Sequence, residues 1–201
     1  MHNYPVQLQK LVNEISKLPG IGPKMAERIS LFIMKNYNNL AEDLIKSLEE
    51  IKDIKYCENC FNISEENVCS ICKDTGRNKK IICIIESPED IVTIEKTGKY
   101  NGVYHVLYGL INPLNNILPE NLKINELINR IKKQGDIIEI IFALNHTVEG
   151  DATALFIANE IRKFDNKIKI TRLAKGLPTG ADIRYADEIT LGQAIIERRE
   201  I

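Results

Sequence analysis

Residues 139–161 read EIIFALNHTVEGDATALFIANEI, and this stretch decides the fold. Ile137, Ile138, Ile140, Ile141, Phe142, Ala143 and Leu144 form a near-continuous apolar run broken only by Glu139. Such runs belong to strands of a parallel sheet covered on both faces. The chain then turns and becomes an amphipathic helix, with Ala154, Ile157, Ala158 and Ile161 on one face. Between strand and helix sit Asn145, His146, Thr147, Val148, Glu149, Gly150 and Asp151. In an open α/β sheet the carboxyl end of a strand is where ligands collect. What these seven residues can do separates a catalyst from a binder.

The flanking sequence repeats the alternation. Ile81 to Ile85 is a β-branched run that ends at Glu86-Ser87-Pro88, and a helix carrying Ile91 and Ile94 follows. Val103 to Leu107 is a second strand, and a long loop spans Gly109 to Asn121. A helix is predicted over Ile124–Lys133 and a last strand over Lys167–Leu173. Strands alternating with helices indicate an α/β domain with a mainly parallel sheet. Cys83 and His105 read as core residues of their strands. The tail from 175 is rich in turns at Gly176, Pro178 and Gly180. It leads to a terminal helix with Ile189, Leu191, Ala194 and Ile195, closed by Arg198 and Arg199. Asp182, Asp187 and Glu188 read as caps and solvated positions, with a ligand role as the alternative.

Toward the N-terminus the texture is all-helical. Leu8, Leu11, Val12, Ile15 and Leu18 recur at helical spacing from Val6 to Leu18, and LPGIGPK (residues 18–24) joins this helix to a second. The second helix, from about Lys24 to Lys35, is expected to bury Met25, Ile29, Phe32 and Ile33. Two helices joined this way form a helix-hairpin-helix pattern. Gly20 and Gly22 tolerate positive φ and allow close approach to the backbone, and Pro23 suits the first helical position. Free amides at that helix start make an anion site, to which Lys24 and Arg28, one turn apart, add charge. Gly20, Ile21, Gly22, Lys24 and Arg28 are therefore candidates for contact with the DNA backbone, independent of sequence; the alternative is a tight turn between two core helices. A third helix, Leu40 to Ile51, is expected to turn Leu44, Ile45, Leu48 and Ile51 inward.

Between the helical part and the first strand come Cys57-x-x-Cys60, eight intervening residues, and Cys69-x-x-Cys72. Two such pairs can close a tetrahedral site with four thiolates, which leaves no position for water and makes the metal structural. Zinc is expected, against two disulfides, an iron–sulfur cluster or free thiols. Five cysteines, four of them in one short segment, fit a reduced cytosol with one metal site. The charge balance of 27 Lys+Arg against 28 Asp+Glu excludes a strongly basic binder, so nucleic acid must be met by local patches or backbone amides. No apolar run approaches the roughly 20 residues of a membrane span, and MHNYPVQLQK lacks the apolar core of a signal peptide.

LPGIGPKMAERI, the four-cysteine segment, IIES, LNHTVEGDATALFIA and GLPTGADIRYADEITLGQA stand in this order. Their order and wording resemble the RecR family of bacterial recombination mediators over nearly the whole chain. The resemblance implies a helical part with the helix-hairpin-helix (1–53), a four-cysteine zinc finger (54–78), a Toprim domain (79–174) and a C-terminal tail that serves oligomerisation (175–201). It also implies a cytoplasmic, nucleoid-associated bacterial protein of DNA repair that acts with RecO and RecF to load RecA on single-stranded DNA, as a ring-like homotetramer able to encircle DNA. Catalytic Toprim proteins hold magnesium with one glutamate after the first strand and an Asp-x-Asp pair after a later one. Here the glutamate corresponds to Glu86, but the pair corresponds to Asn145 and Thr147. The expected protein is not an enzyme; the alternative is a magnesium-dependent Toprim nuclease or primase-like enzyme using Glu86, Glu149 and Asp151. The resemblance further implies that Glu86, His146 and Glu149 contact RecO.

Overall fold

The structure is a computed structural model, and its described residues are 4–198 and 200. The chain divides into two units, residues 1–54 and 55–201. In the first, α1 (Val6–Ile15) packs on α2 (Pro23–Lys35), and α3 (Glu42–Glu50) follows a π-helical turn at Tyr37–Ala41. The first helix ends three residues before the periodicity does. The Lys17 and Leu18 amides bond the carbonyls three residues back, Glu14 O and Ile15 O, which tightens the last turn. The chain then reverses at Gly20, with φ +79°.

The core of this unit is narrow, and here the sequence expectation fails. Leu8, Ile15, Ala26 and Ser30 are buried, and Ser30 Oγ donates to Ala26 O at 2.8 Å. Met25 and Phe32, expected inside, are 48% and 59% exposed, while Ile29 and Ile33 are half-buried. Leu44, Ile45, Leu48 and Ile51 of the third helical segment, also expected inside, are all exposed. Three short helices have too little volume to enclose every apolar residue that their periodicity offers. Leu8, Leu11, Leu31, Met34, Leu44 and Leu48 instead line an apolar groove of about 640 Å³.

The second unit begins with an antiparallel pair, β1 (Lys55–Tyr56) and β2 (Ile63–Ser64), and one helical turn, α4 (Ser70–Lys73). There follow β3 (Asn78–Ile85), α5 (Pro88–Glu95), β4 (Gly102–Val106), α6 (Ile124–Gln134), β5 (Glu139–Phe142), α7 (Val148–Arg162), β6 (Lys169–Arg172) and α8 (Glu188–Ile196). The last four strands form one parallel sheet in the order β4-β3-β5-β6, the alternating α/β architecture that the sequence predicts. On one face Ile82, Ile84, Ile140 and Phe142 pack with Leu127 and Ile131 of α6 and with Ile157 and Ile161 of α7. On the other, Cys83, Ile85, Tyr104 and Val106 pack under Ile91, with Phe61 and Ile71 closing over them. That second covering reaches β3 and β4 more fully than β5. Ile141 and Ala143 are half-buried against that second cluster and Ile138, ahead of the strand, is exposed, so the run around 140 is covered fully on one face and partly on the other.

Cys83 and His105 are core residues as expected. In the tail, Asp187 Oδ1 accepts the Thr190 N–H at 2.9 Å and Asp182 Oδ1 the Arg184 N–H at 3.0 Å, both as caps. Arg198 Nη1 donates to Ile195 O at 3.0 Å, at the end of α8. Arg199, the other cation expected there, lies outside the described residues.

Candidate functional site

The four cysteines converge as their spacing requires. Cys57 and Cys60 sit at the turn between β1 and β2, where the Phe61 N–H bonds Cys57 O at 2.9 Å and the Cys57 N–H bonds Asn62 O at 2.8 Å. Cys69 precedes α4 and Cys72 lies within it. All four sulfurs are buried, fall within 4.8 Å of one another and form no disulfide. Cys60 Sγ and Cys69 Sγ are 3.6 Å apart, close to the roughly 3.8 Å that separates sulfurs bound at about 2.3 Å to a tetrahedral zinc. The Cys69 N–H donates to Cys57 Sγ at 3.3 Å, support suited to a thiolate. Sharing of its proton with Cys69 and then Cys72, with burial adding, raises the Cys60 thiol. A divalent cation offsets this crowding by stabilising the thiolates. The donor set fits one structural zinc.

At the helix-hairpin-helix turn the two glycines differ. Gly20 uses positive φ, but Gly22 has φ −80° and ψ 167°, an extended cap that any residue can adopt. A Cβ on Gly22 would meet nothing within 4 Å, so packing within the chain does not require glycine there. Pro23 opens α2, at the first helical position expected of it, and no side chain caps that end. The Lys24 and Met25 amides consequently lack intrahelical partners, while the Ala26 N–H reaches Gly22 O at 2.9 Å. The Ile21 N–H, included in the sequence-level anion site, bonds Leu18 O at 3.1 Å. Lys24 and Arg28 are exposed.

The strand-end residues meet at the carboxyl edge of the sheet. Asn145 Nδ2 donates to Glu86 Oε2 at 3.0 Å, joining the ends of β5 and β3. Thr147 caps α7 by accepting the Gly150 N–H at 3.1 Å. Gly150 is required there because a Cβ would stand 2.0 Å from Asn145 O. Glu149 lies half-buried in the first turn of α7, where the helix dipole favours an acid; the cap itself belongs to Thr147. Asp151 is bound by the Arg172 guanidinium, with Lys175 Nζ 3.8 Å away. These cations hold the Asp151 carboxyl below its usual range, Arg172 foremost. His146 is held below its ordinary value by burial first, then by Arg172 and Lys175.

Sequence reasoning missed Arg172 and Lys175. The signal was available: Arg172 ends β6, and strand ends carry the site in such sheets. Their effect is to satisfy the acid that would otherwise join Glu86 in holding a cation. Where catalytic Toprim sites present an Asp-x-Asp pair, this edge presents an amide, a hydroxyl and an internally paired aspartate beside Glu86 and Glu149.

Comparison with known proteins covers all of these parts. A RecR helix-hairpin-helix model matches residues 8–52, a RecR four-cysteine zinc finger model 54–74, a Toprim domain model 80–174 and a RecR C-terminal model 176–199. Among curated relatives, the Recombination protein RecR of Rubrobacter xylanophilus is 44% identical over 202 residues, covering 100% of each chain. That of Herpetosiphon aurantiacus is 43% identical over 98% of this chain and 96% of its own. That of Bifidobacterium adolescentis is 43% identical over 98% of both. Among the described residues no helix is long and apolar enough to cross a membrane.

Proposed function

The chain belongs to the RecR family of recombination proteins, and from that premise we propose that it is a DNA-binding recombination mediator without catalytic activity of its own. The observation that carries this reading is the uncapped start of α2, open at Gly22 and flanked by exposed Lys24 and Arg28. Backbone amides at a helix N-terminus bind phosphate without regard to base sequence. The Arg172–Asp151 pair and the neutral Asn145 and Thr147 support a non-catalytic strand-end edge.

The parts are 1–53, 54–78, 79–174 and 175–201, with the last serving self-association. A homotetrameric, ring-like clamp multiplies weak contacts by its copy number. The exposed apolar groove between α1, α2 and α3 supports assembly through the helical unit. Glu86, His146 and Glu149 form the edge that meets RecO, and with RecO and RecF the clamp promotes loading of RecA on single-stranded DNA in the bacterial cytoplasm, at the nucleoid.

The test is a titration with single-stranded oligonucleotide at two salt concentrations. Replacing Lys24 and Arg28 together by Ala should remove retention without changing the solution mass of the oligomer. The salt slope should fall by about 1 to 2, as two phosphate contacts are lost. Unchanged binding would refute the assignment. Glu149→Ala tests the partner edge separately: affinity for RecO should drop while the melting curve stays in place.

A further inference from the structure

We propose that Tyr108 is a positioning residue for the Glu86 carboxylate, and that it takes its own orientation from the zinc finger. The structure lays out the connection bond by bond. Val106 at the end of β4 donates its N–H to Cys60 O at 2.9 Å, so the carbonyl of a finger cysteine meets the open edge of the sheet. Two residues on, the Tyr108 hydroxyl donates to Phe61 O at 2.9 Å. Its ring meets Tyr56 edge-to-face, with centroids 5.4 Å apart. From the other side of the same residue, the Tyr108 N–H donates to Glu86 O at 2.9 Å. Glu86 then accepts from Asn145 through its carboxylate. A single tyrosine thus holds the finger with its side chain and the strand-end glutamate with its backbone.

Backbone geometry at both ends of the hydroxyl bond points the same way. Phe61 and Tyr108 both have φ +62°, a left-handed conformation that bulky residues rarely adopt. Such conformations persist only where the surroundings over-determine them. For Phe61 the surroundings are the cysteine turn, the His105 ring at 5.4 Å and Lys123 Nζ 5.0 Å above its face. For Tyr108 they are Phe61 O, Tyr56 and Glu86 O. Phe61 O holds Tyr108, and the four cysteines that would hold the zinc fix the turn that carries Phe61. Order in that turn would therefore carry to the Glu86 edge proposed for docking. The functional consequence rests on reading Glu86 as a docking residue; the coupling itself does not.

The test uses the full zinc-loaded chain and two NMR readouts, hydrogen exchange of the amide at position 108 and the side-chain amide signals of Asn145. Tyr108→Phe keeps the ring on Tyr56 and removes only the hydroxyl. Exchange at that amide should accelerate roughly tenfold, the scale of one lost hydrogen bond, and the Asn145 signals should shift. Tyr108→Ala, or chelation of the zinc from the native chain, should shift them further in the same direction, so that Phe is a partial rescue of Ala. Asn145 signals unmoved both in Tyr108→Phe and after verified zinc loss would overturn the proposal. Affinity for RecO keeps the two readings apart. Shifted Asn145 signals with binding indifferent to Glu86→Gln would uphold the positioning and remove the docking role. Weakened binding in Glu86→Gln beside unmoved Asn145 signals would do the reverse.

Discussion

The guanidinium of Arg172 is bound to the carboxylate of Asp151, at the strand end where a catalytic relative would present free acids. It also donates to Asn145 O at 3.0 Å, which ties β6 to the loop after β5. A hard divalent cation needs several charged oxygens to give up its water, and one of the three acids near this edge is already neutralised. Manganese binding followed by electron paramagnetic resonance should therefore stay at background in the native chain. Asn145→Asp combined with Thr147→Asp should create a measurable site, because Asp keeps the cap of α7 while adding two charges beside Glu86. A saturable site in the native chain would contradict this account.

The strand-end loop carries a steric requirement as sharp as its chemical one. Gly150 sits where a methyl group would overlap Asn145 O at 2.0 Å, and its own N–H is the donor in the Thr147 cap. Gly150→Ala must push the loop off α7 or unwind the first turn. Overpacking of this kind costs roughly 1 to 3 kcal/mol, to be read as a lower urea midpoint of the second unit. The Asn145 to Glu86 bond should be lost with it. A midpoint equal to that of the native chain would show that the loop yields freely.

At the hairpin the two glycines should respond oppositely. Gly20→Ala forces a side chain to φ +79° and should cost about 1 kcal/mol. Gly22→Asp places a good cap at an extended N-cap position, and stability should hold or rise by about a few tenths of a kcal/mol. The same substitution occupies the amides and sets a negative charge in front of them, so DNA binding should be lost in a protein at least as stable as the original. Retained DNA binding in Gly22→Asp would show that the amides of α2 do not hold phosphate.

Much of this was legible because it is local. The Cys57 to Cys72 spacing, the Pro23 start, the Glu86-Ser87-Pro88 break and the run around Ile140 each write their structure within a few neighbours. What escaped is non-local. Arg172 and Asp151 are 21 residues apart and meet only because β6 lies beside β5. Tyr108 and Phe61 are 47 apart and meet only because the finger closes on the edge of β4. Helical periodicity misled at Met25, Phe32 and Leu48 for a related reason. It reports which face of a helix is apolar, whereas burial depends on whether another element arrives to cover that face.

Zinc should be bound at one ion per chain, and its removal should be felt first in the finger. The segment from Glu58 to Asn67 is mostly polar, and apart from the ties at Cys60 O and Phe61 O its backbone bonds lie around the cysteine turns, so its order depends on the metal. After chelation, limited proteolysis should cut between residues 57 and 74. The central β3 and β5, which pack through Ile82, Ile84 and Ile140, should stay protected. Cleavage unchanged after verified zinc loss would argue that the finger folds without its ion.

His105 should give the second unit a distinctive response to acid. It is fully buried in β4, with Nε2 2.8 Å from Lys123 O, and no partner for Nδ1 exists among the described residues. Burial therefore drives its pKa down from the ordinary 6.5 to about 3. In the unfolded chain the ring protonates near its ordinary value, so from there down to the folded value the unfolded state binds more protons. Stability must rise with pH across that window and fall as acid is added. The loss from this one group should reach about 1.4 kcal/mol a single pH unit below the unfolded value. His105→Leu removes the titrating ring at similar size. It should start less stable, having lost the bond to Lys123 O, and then flatten the acid limb of the urea midpoint between pH 6.5 and 4. Parallel acid limbs for the two proteins would mean that the ring protonates in place, and that the bond to Lys123 O and the empty side at Nδ1 tolerate a charge.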